Sequence, residues 1–496
     1  MKSKRLFFLV CIIICYAKAG SQVLSKQNHN VNIALQELKA DSDLKNAGIG
    51  FYAIDINSGE VISTYNCDLA LTPASTQKLI TTATAMEVFG PSFRFSTKLE
   101  YVGRYDSTTH VLNGKLIIKG GGDPTLGSKY FNQTSNGTFR DGWIKSLQDM
   151  GVQTITGEII GDERIYGYEI VPPTWSWEDM GNYFGAGANG LSIFDNMYTL
   201  WYNTSEKING ETTITKTEPL IPGMTFDNHV KADAINSDKS YIFGAPYTYH
   251  RYINGYLPLG QTDYKVKGSM PDPSFYAAYV LKTGIEEIGI TLGNATTFRL
   301  SPELQSIDSL PHVTLYETLS PQLSDIIKQT NFRSINLFAE HLFTHARLKS
   351  AGFDLDKVDR NYIENFWSAK GIDTKGMAIY DGSGLSKYNT VTAKQIAMIL
   401  KYMKKQSKYS EDYYGTLPVV GKDGTVSGIC KGTSAENNMR AKSGSIKAVR
   451  AYAGYVTTKS GRVVSFSLII NNYNGSSSET GKRMQALMAS LADFNL

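Results

Sequence analysis

Three short clusters carry groups that could act together: Ser75-Thr76-Gln77-Lys78, Ser334-Ile335-Asn336 and Lys442-Ser443-Gly444. A serine that attacks a carbonyl needs a base within hydrogen-bond reach and donors for the oxyanion that forms. At the start of a helix, residues i and i+3 share a face, so the Ser75 hydroxyl and the Lys78 amine can meet. The same helix start aims free N–H groups at developing negative charge, and the Ser75 amide is one such donor. Lysine is a poor base at its ordinary pKa of about 10.4, so Lys78 must be desolvated or flanked by a second cation. Lys442 can be that cation, or can hold a substrate carboxylate. Ser334 is a candidate proton shuttle toward the leaving group, and Asn336 can anchor the lysine and a substrate amide. Each cluster is weak evidence alone: Ser42-Asp43-Leu44-Lys45 repeats the serine–lysine spacing. Taken singly, the first cluster describes a capped helix with a solvated lysine, Asn336 a cap and Lys442 an exposed strand end. Their order and settings together favour chemistry.

The elements that must position these groups can be read from periodicity. Residues 31–46, with Val31, Ile33, Leu35 and Leu38, predict an amphipathic helix. Residues 50–56 and 61–65 read as two strands around the turn Asn57-Ser58-Gly59. Pro73 precedes Ser75, and a stretch rich in Ala, Leu, Ile and Met runs on to Gly90, a helix stop. The far end mirrors this arrangement. Residues 450–457 and 462–470 form a hairpin over Lys459-Ser460-Gly461, and residues 479–494 a helix with Met484, Leu487, Met488 and Leu491 on one face. Lys442 stands just before that hairpin, where a substrate-binding strand is wanted. Both chain ends are therefore expected in one domain, residues 20–95 and 312–496. Residues 96–311, with runs such as 112–119 and turns such as Gly120-Gly121-Gly122-Asp123-Pro124, read as a mostly β insertion with room for two subdomains. The fold class expected is α/β in the α+β sense.

Residues 1–19 read as a signal peptide. Met1-Lys2-Ser3-Lys4-Arg5 is basic, residues 6–16 are apolar, and Ala17-Lys18-Ala19 fits a cleavage site. The apolar run is shorter than the about 20 residues of a spanning helix. Cys15 follows Ile12, Ile13 and Ile14 rather than a small residue, which favours secretion over a lipid anchor. The mature chain is thus expected across the inner membrane, in the periplasm or cell envelope. Losing Lys2, Lys4, Arg5 and Lys18 takes the formal charge from +4 to zero. A neutral chain argues against nucleic acid, which needs clustered Lys and Arg. The hydrophobic share of 42% and charged share of 19% over 496 residues carry no disorder signature and allow several packed domains. Two of four cysteines remain after cleavage, Cys67 and Cys430, and both a disulfide and two separate thiols are open.

One rival constellation is Glu340-His341 and His345, which puts two histidines at i and i+4 on an expected helix. That spacing can bind zinc, but the glutamate precedes the first histidine, so H-E-x-x-H is not matched. No third ligand suggests itself, and no metal or cofactor is expected.

With these motifs in hand, the chain resembles the penicillin-binding-protein-4-like D-alanyl-D-alanine carboxypeptidases, class C low-molecular-mass penicillin-binding proteins of peptidase family S13. The triple is their S-x-x-K, S-x-N and K-[TS]-G signature. Pro73-Ala74-Ser75, Gly121-Gly122-Asp123-Pro124-Thr125-Leu126, Trp175-Ser176-Trp177-Glu178-Asp179 with Tyr183-Phe184-Gly185-Ala186, Asp381-Gly382-Ser383-Gly384-Leu385-Ser386, Leu417-Pro418 and Asp423-Gly424-Thr425 also match, from about residue 31 to the C-terminus. The resemblance implies a serine β-lactamase/transpeptidase-like domain, an antiparallel sheet flanked by helices and split by an insertion. It implies cleavage of the terminal D-Ala-D-Ala bond of peptidoglycan stem peptides, and endopeptidase cleavage of cross-links. Ser75 would be the nucleophile and Lys78 the base. Ser334, Asn336 and Lys442 would complete the site, Ser443 and Gly444 would line the substrate strand, and the Ser75 and Ser445 amides would stabilise the oxyanion. Asp162 and Lys387 would serve the diamino-acid end of the peptide. β-Lactams would acylate Ser75, and the resemblance leaves room for a homodimer. Two departures stand out: Ser443 where Thr is commoner, and Ile335 where Asp or Asn is usual. A serine β-lactamase is the nearest rival, although no E-x-x-L-N pattern is present to supply a second base. A non-catalytic wall-binding protein of the same fold is another, and a metallopeptidase built on His341 and His345 the most distant.

Overall fold

A five-stranded antiparallel sheet joins the two ends of the chain, in the order Met439–Ile446, Val449–Thr457, Val463–Asn471, Gly48–Asp55 and Val61–Tyr65. The structure, a computed structural model, describes residues 29–495; the signal-peptide reading of residues 1–19 lies outside them. Gly48–Asp55 pairs with Val463–Asn471 in unbroken register, from Gly48 opposite Asn471 to Asp55 opposite Val464. Both faces of this sheet are covered, so its central strands are apolar on alternate and intervening positions alike. One face packs Phe51, Ala53, Phe466 and Leu468 against the helices His29–Ala40 and Ser477–Ala492. From the first helix Val31, Leu35 and Leu38 enter that core, whereas Ile33 is 41% exposed, because only the i, i+4, i+7 positions face inward. The other face meets Lys78–Phe89, Asn336–Ser350 and Ala393–Lys405 over a second core containing Leu79, Phe338 and Ile396.

Between these ends lies a six-stranded sheet with Val111–Lys119 and Ser96–Asp106 at its centre. Its edge strand His312–Leu319 pairs with Ser96–Asp106, so this sheet extends past the boundary at residue 311 drawn from sequence. Two three-stranded sheets complete the segment. One runs Lys239–Phe243, His250–Pro258, Thr225–Asp233, the other Tyr264–Ser269, Met197–Thr204, Thr212–Glu218. Two 15-residue helices, Asn136–Met150 and Pro273–Glu287, also pack here, where the sequence reading expected mainly strands. Among the described residues no helix is long and apolar enough to cross a membrane. Cys67 and Cys430 are separate free thiols. The whole is a mixed α/β fold of sheets flanked by helices: the five-stranded sheet is antiparallel throughout, whereas the six-stranded sheet and the sheet of Lys239–Phe243, His250–Pro258 and Thr225–Asp233 also contain parallel pairs.

Candidate active site

Ser75 stands on a 3-10 turn, Ala74–Gln77, that runs directly into the helix Lys78–Phe89. Ala74, fully buried, holds a φ of 46°, a conformation that costs an L-residue energy and is sustained by its surroundings. Thr76 closes the turn by donating from Oγ1 to the Pro73 carbonyl at 2.7 Å. Two residues on, the Lys78 side chain is wholly buried. Its Nζ lies 2.9 Å from Ser75 Oγ, 2.7 Å from Asn336 Oδ1 and 2.7 Å from the Ser383 carbonyl. Burial lowers its pKa to about 7, against the pull of the Glu340 and Asp381 carboxylates. The alternative match at Ser42–Lys45 is an exposed turn with no such company.

The second cluster occupies the turn between two helices. Leu323–Arg333 ends where Ser334 adopts a left-handed conformation (φ 59°, ψ 38°), and Asn336–Ser350 begins two residues later. Both ends of the Asn336 amide are used: Oδ1 accepts from Lys78, and Nδ2 donates to the Phe184 carbonyl at 2.7 Å. The third cluster lies on the edge strand Met439–Ile446. A Cβ on Gly444 would come within 2.8 Å of the Pro73 carbonyl and 3.0 Å of the Ser75 nitrogen, so only glycine lets this strand approach the nucleophile turn. Ser443 Oγ shares a hydrogen bond with Thr425 Oγ1 at 2.9 Å, a use for the hydroxyl that the departure from threonine retains. Lys442 is wholly buried, and burial together with Lys78 holds its pKa well below the ordinary lysine range.

The carbonyl that holds Lys78 comes from Asp381-Gly382-Ser383-Gly384-Leu385-Ser386, a stretch noted in the sequence without a role. Asp381 organises it. Its Oδ1 accepts from the Gly384 amide and Asn389 Nδ2, both at 2.8 Å, and Oδ2 from the Ser386 amide and, at 2.9 Å, from Trp175 Nε1. Glu340 braces the same loop by accepting from the Gly382 and Ser383 amides at 2.9 and 2.8 Å. Burial and the nearby Asp381 raise the Glu340 carboxyl.

Ser75, Ser334, Ile335, Asn336 and Ser445 open onto one cavity of about 690 Å³, and Lys387 lines it as well, ion-paired to Glu178 at 3.2 Å. Asp162 does not reach it. Its carboxylate is gripped by Arg164 Nε and Nη2, each at 2.8 Å, beside a separate hollow shared with Asp308 and His312. The carboxylates that do line the cavity are Glu178, Asp179 and Asp195, facing Lys129, Lys267 and Arg333. Sequence reasoning missed these six. Glu178-Asp179 lay inside a recognised motif and Arg333 beside Ser334, but nothing in the spacing joined them to Ser75.

His341 and His345 face away from Ser75, into a closed seam with the inserted segment. His341 uses both ring nitrogens, on the Gly122 carbonyl at 2.8 Å and on Ser192 Oγ at 2.9 Å, and His345 Nδ1 meets Tyr166 Oη at 3.2 Å. Burial lowers their pKa values to about 4 and about 3. Neither ring is a solvated or capping group, as a histidine pair at this spacing would ordinarily be: both are buried packing and hydrogen-bonding groups.

Comparison with known proteins fits this geometry. The model of the D-Ala-D-Ala carboxypeptidase 3 (S13) family matches residues 31–494. The chain belongs to that family. A D-alanyl-D-alanine carboxypeptidase, DacB, of Haemophilus influenzae is 26% identical over 456 residues, 90% of this chain and 89% of the relative. A D-alanyl-D-alanine carboxypeptidase of Actinomadura sp. is 26% identical over 460 residues, 89% of this chain and 82% of its own. In structure, penicillin-binding protein 4 from Haemophilus influenzae superposes with a TM-score of 0.73 at 22% identity, covering 92% of this chain and 97% of that one. The likeness of fold therefore spans almost the whole molecule.

Proposed function

We propose that this protein is a serine D-alanyl-D-alanine carboxypeptidase that hydrolyses the terminal bond of peptidoglycan stem peptides through an acyl-enzyme on Ser75. The observation that carries the reading is the 2.9 Å approach of a buried, pKa-lowered Lys78 amine to Ser75 Oγ in a chain of family S13. A neutral amine has two N–H bonds and one lone pair. Asn336 Oδ1 and the Ser383 carbonyl accept the two N–H bonds, which leaves the lone pair for the Ser75 proton. Ser75 Oγ then attacks the carbonyl of the penultimate D-alanine while its proton passes to Lys78. The oxyanion is received by the Ser75 and Ser445 amides on the nucleophile turn and the facing edge strand. As the C–N bond breaks, Lys78 returns the proton through Ser334 to the departing amine, and D-alanine leaves. Water, deprotonated by the same lysine, resolves the ester to stem peptide and free Ser75. Lys442, buried beside Lys78, donates to the Ser443 carbonyl and so holds the edge strand from which Ser443 receives the terminal carboxylate.

β-Lactams place a strained amide where the substrate carbonyl would sit, so they acylate Ser75 as well; a structure of penicillin-binding protein 4 complexed with a β-lactam supports this reading. The cavity exceeds what a terminal D-alanine fills, which supports D,D-endopeptidase cleavage of cross-links at the same serine. We assign the two end segments to a transpeptidase-like domain, the segment between them to a β-rich insertion, and the protein to the periplasm or cell envelope after removal of residues 1–19. The test is D-alanine release from a synthetic pentapeptide ending in D-Ala-D-Ala. Steady release by the wild type and none by Ser75→Ala is expected; equal release by both, or none by either, would overturn the reading.

A further inference from the structure

We propose that the exposed face of the sheet Lys239–Phe243, His250–Pro258, Thr225–Asp233 is a docking track for the peptidoglycan glycan strand, continuous with the cavity that holds Ser75. The identity of the polymer rests on the functional reading above. The sheet buries Ile242, Ile253 and Val230 on one side. On the other it exposes aromatic rings: Tyr241 is 43% exposed, Tyr252 39% and Tyr256 44%. Register places Phe243 opposite Tyr252, Tyr241 opposite Asn254 and Lys239 opposite Tyr256, so these side chains share a face. The rings form a row across all three strands. Trp177 to Phe243 is 6.1 Å between centroids, Phe243 to Tyr252 5.8 Å, and Tyr252 to His229 5.2 Å.

The row begins at the active-site cavity. Tyr241 lines both. Trp177, 55% exposed, belongs to the helical turn Trp177–Met180, whose Glu178 and Asp179 line the cavity. That turn is fastened to the edge strand by Asn182. Its Oδ1 accepts from the Ile242 amide at 3.1 Å, and its Nδ2 donates to the Glu178 carbonyl at 2.7 Å. One rigid corner thus aims acids into the cavity and an indole onto the track.

Chemistry selects the occupant. Flat aromatic faces interleaved with an amide and an imidazole match pyranose rings, which present apolar C–H faces and polar rims. Charge on the face is largely balanced: Lys231 pairs with Glu211 at 2.6 Å, and His229 lies 2.8 Å from Asp227. A polyanion, which needs clustered cations, fits it poorly. The aliphatic side chains that would seal a permanent protein interface point to the opposite side. A polymer whose stem peptide enters the cavity must itself run close by, and this face is where the cavity wall continues.

The experiment is binding of soluble, peptide-free glycan strands to the full chain, followed by tryptophan fluorescence and by co-sedimentation. Tyr252→Ala combined with Tyr256→Ala should weaken binding at least about fivefold. Hydrolysis of the free pentapeptide and the stoichiometry of benzylpenicillin acylation should not change, which also verifies folding, and Tyr252→Trp should keep the affinity. Unchanged glycan binding in the double variant overturns the proposal. So does a double variant that loses self-association while still binding glycan, which would give the face to a second copy. Because the strands carry no peptide, the readout is separate from the carboxypeptidase reading. A wild type that binds strands but releases no D-alanine supports the track and overturns only that reading; one that releases D-alanine but ignores the strands overturns the track.

Discussion

Glu340 and His341 are neighbours on one helix and equally hidden, 3% and 0% exposed, yet they face different surroundings. Glu340 braces the loop that presents the Ser383 carbonyl to Lys78, and Lys78 touches a serine at the mouth of an open cavity. His341, with His345 a turn further on, closes a seam against Gly122, Ser192 and Tyr166. Burial depresses the basic groups on both sides, Lys78 to about 7 and the histidines to about 4 and about 3. A perturbed pKa alone therefore does not mark chemistry. Each perturbed base lies 2.9 Å from a serine hydroxyl, Lys78 from Ser75 and His341 from Ser192; what separates the regions is space, because Ser75 opens onto a cavity for a substrate and Ser192 is buried.

The largest expected contrast comes from the base. Lys78→Met fills the same volume without an amine, and benzylpenicillin acylation should slow by at least about 10³-fold while the melting transition persists. Acylation within tenfold of wild type would remove Lys78 from the role of base. On the other side, His341→Ala strips two buried partners and should cost about 2–4 kcal/mol in urea unfolding. Its folded fraction should still acylate within about threefold of wild type; a larger loss would mean that the seam tunes the site.

The two regions should also answer pH separately. Lys78 acts as a neutral amine, so acylation should rise as pH increases through about 7. For the histidines the folded pKa lies below the ordinary 6.5, so the unfolded chain binds more protons between about 6.5 and 4. Their contribution is intact above pH 6.5 and shrinks as pH falls toward 4. Glu163, raised to about 8 mainly by burial, slopes the other way. The readout is therefore the difference in urea midpoint between wild type and His341→Ala, which should narrow from pH 7.5 to pH 4.5. A constant difference would contradict it. The smallest effect is expected from Ser443→Ala. Losing the 2.9 Å bond to Thr425 should slow pentapeptide hydrolysis about two- to tenfold, read as kcat/KM.

Much of this was legible from local pattern. The i, i+3 spacing of Ser75 and Lys78, the hairpins at both ends, the helix stop at Gly90 and the turn at Gly461 follow from short-range rules. Two helices escaped because their signals are mixed. In Asn136–Met150, Gly142 interrupts the pattern since a Cβ there would collide with the ring of Tyr316, at 2.6 Å. In Pro273–Glu287 the start was in fact written, as Asp272 before Pro273, with Asp272 capping the Phe275 amide at 3.0 Å. Asp162 and Asp179 were equally eligible as acids. Only the fold distinguishes them, because Arg164 occupies one and the other lines the cavity. The aromatic track needs three strands in register and has no signature along the chain.

The central claim, that Ser75 forms a covalent acyl intermediate, is tested most directly by intact-protein mass after incubation with benzylpenicillin. A stable one-to-one adduct on wild type and none on Ser75→Ala is the predicted result. An unmodified wild-type mass with penicillin intact would contradict it and point to a wall-binding protein without chemistry at this serine; an unmodified mass with penicillin consumed would mean rapid deacylation and replace the carboxypeptidase reading with a β-lactamase.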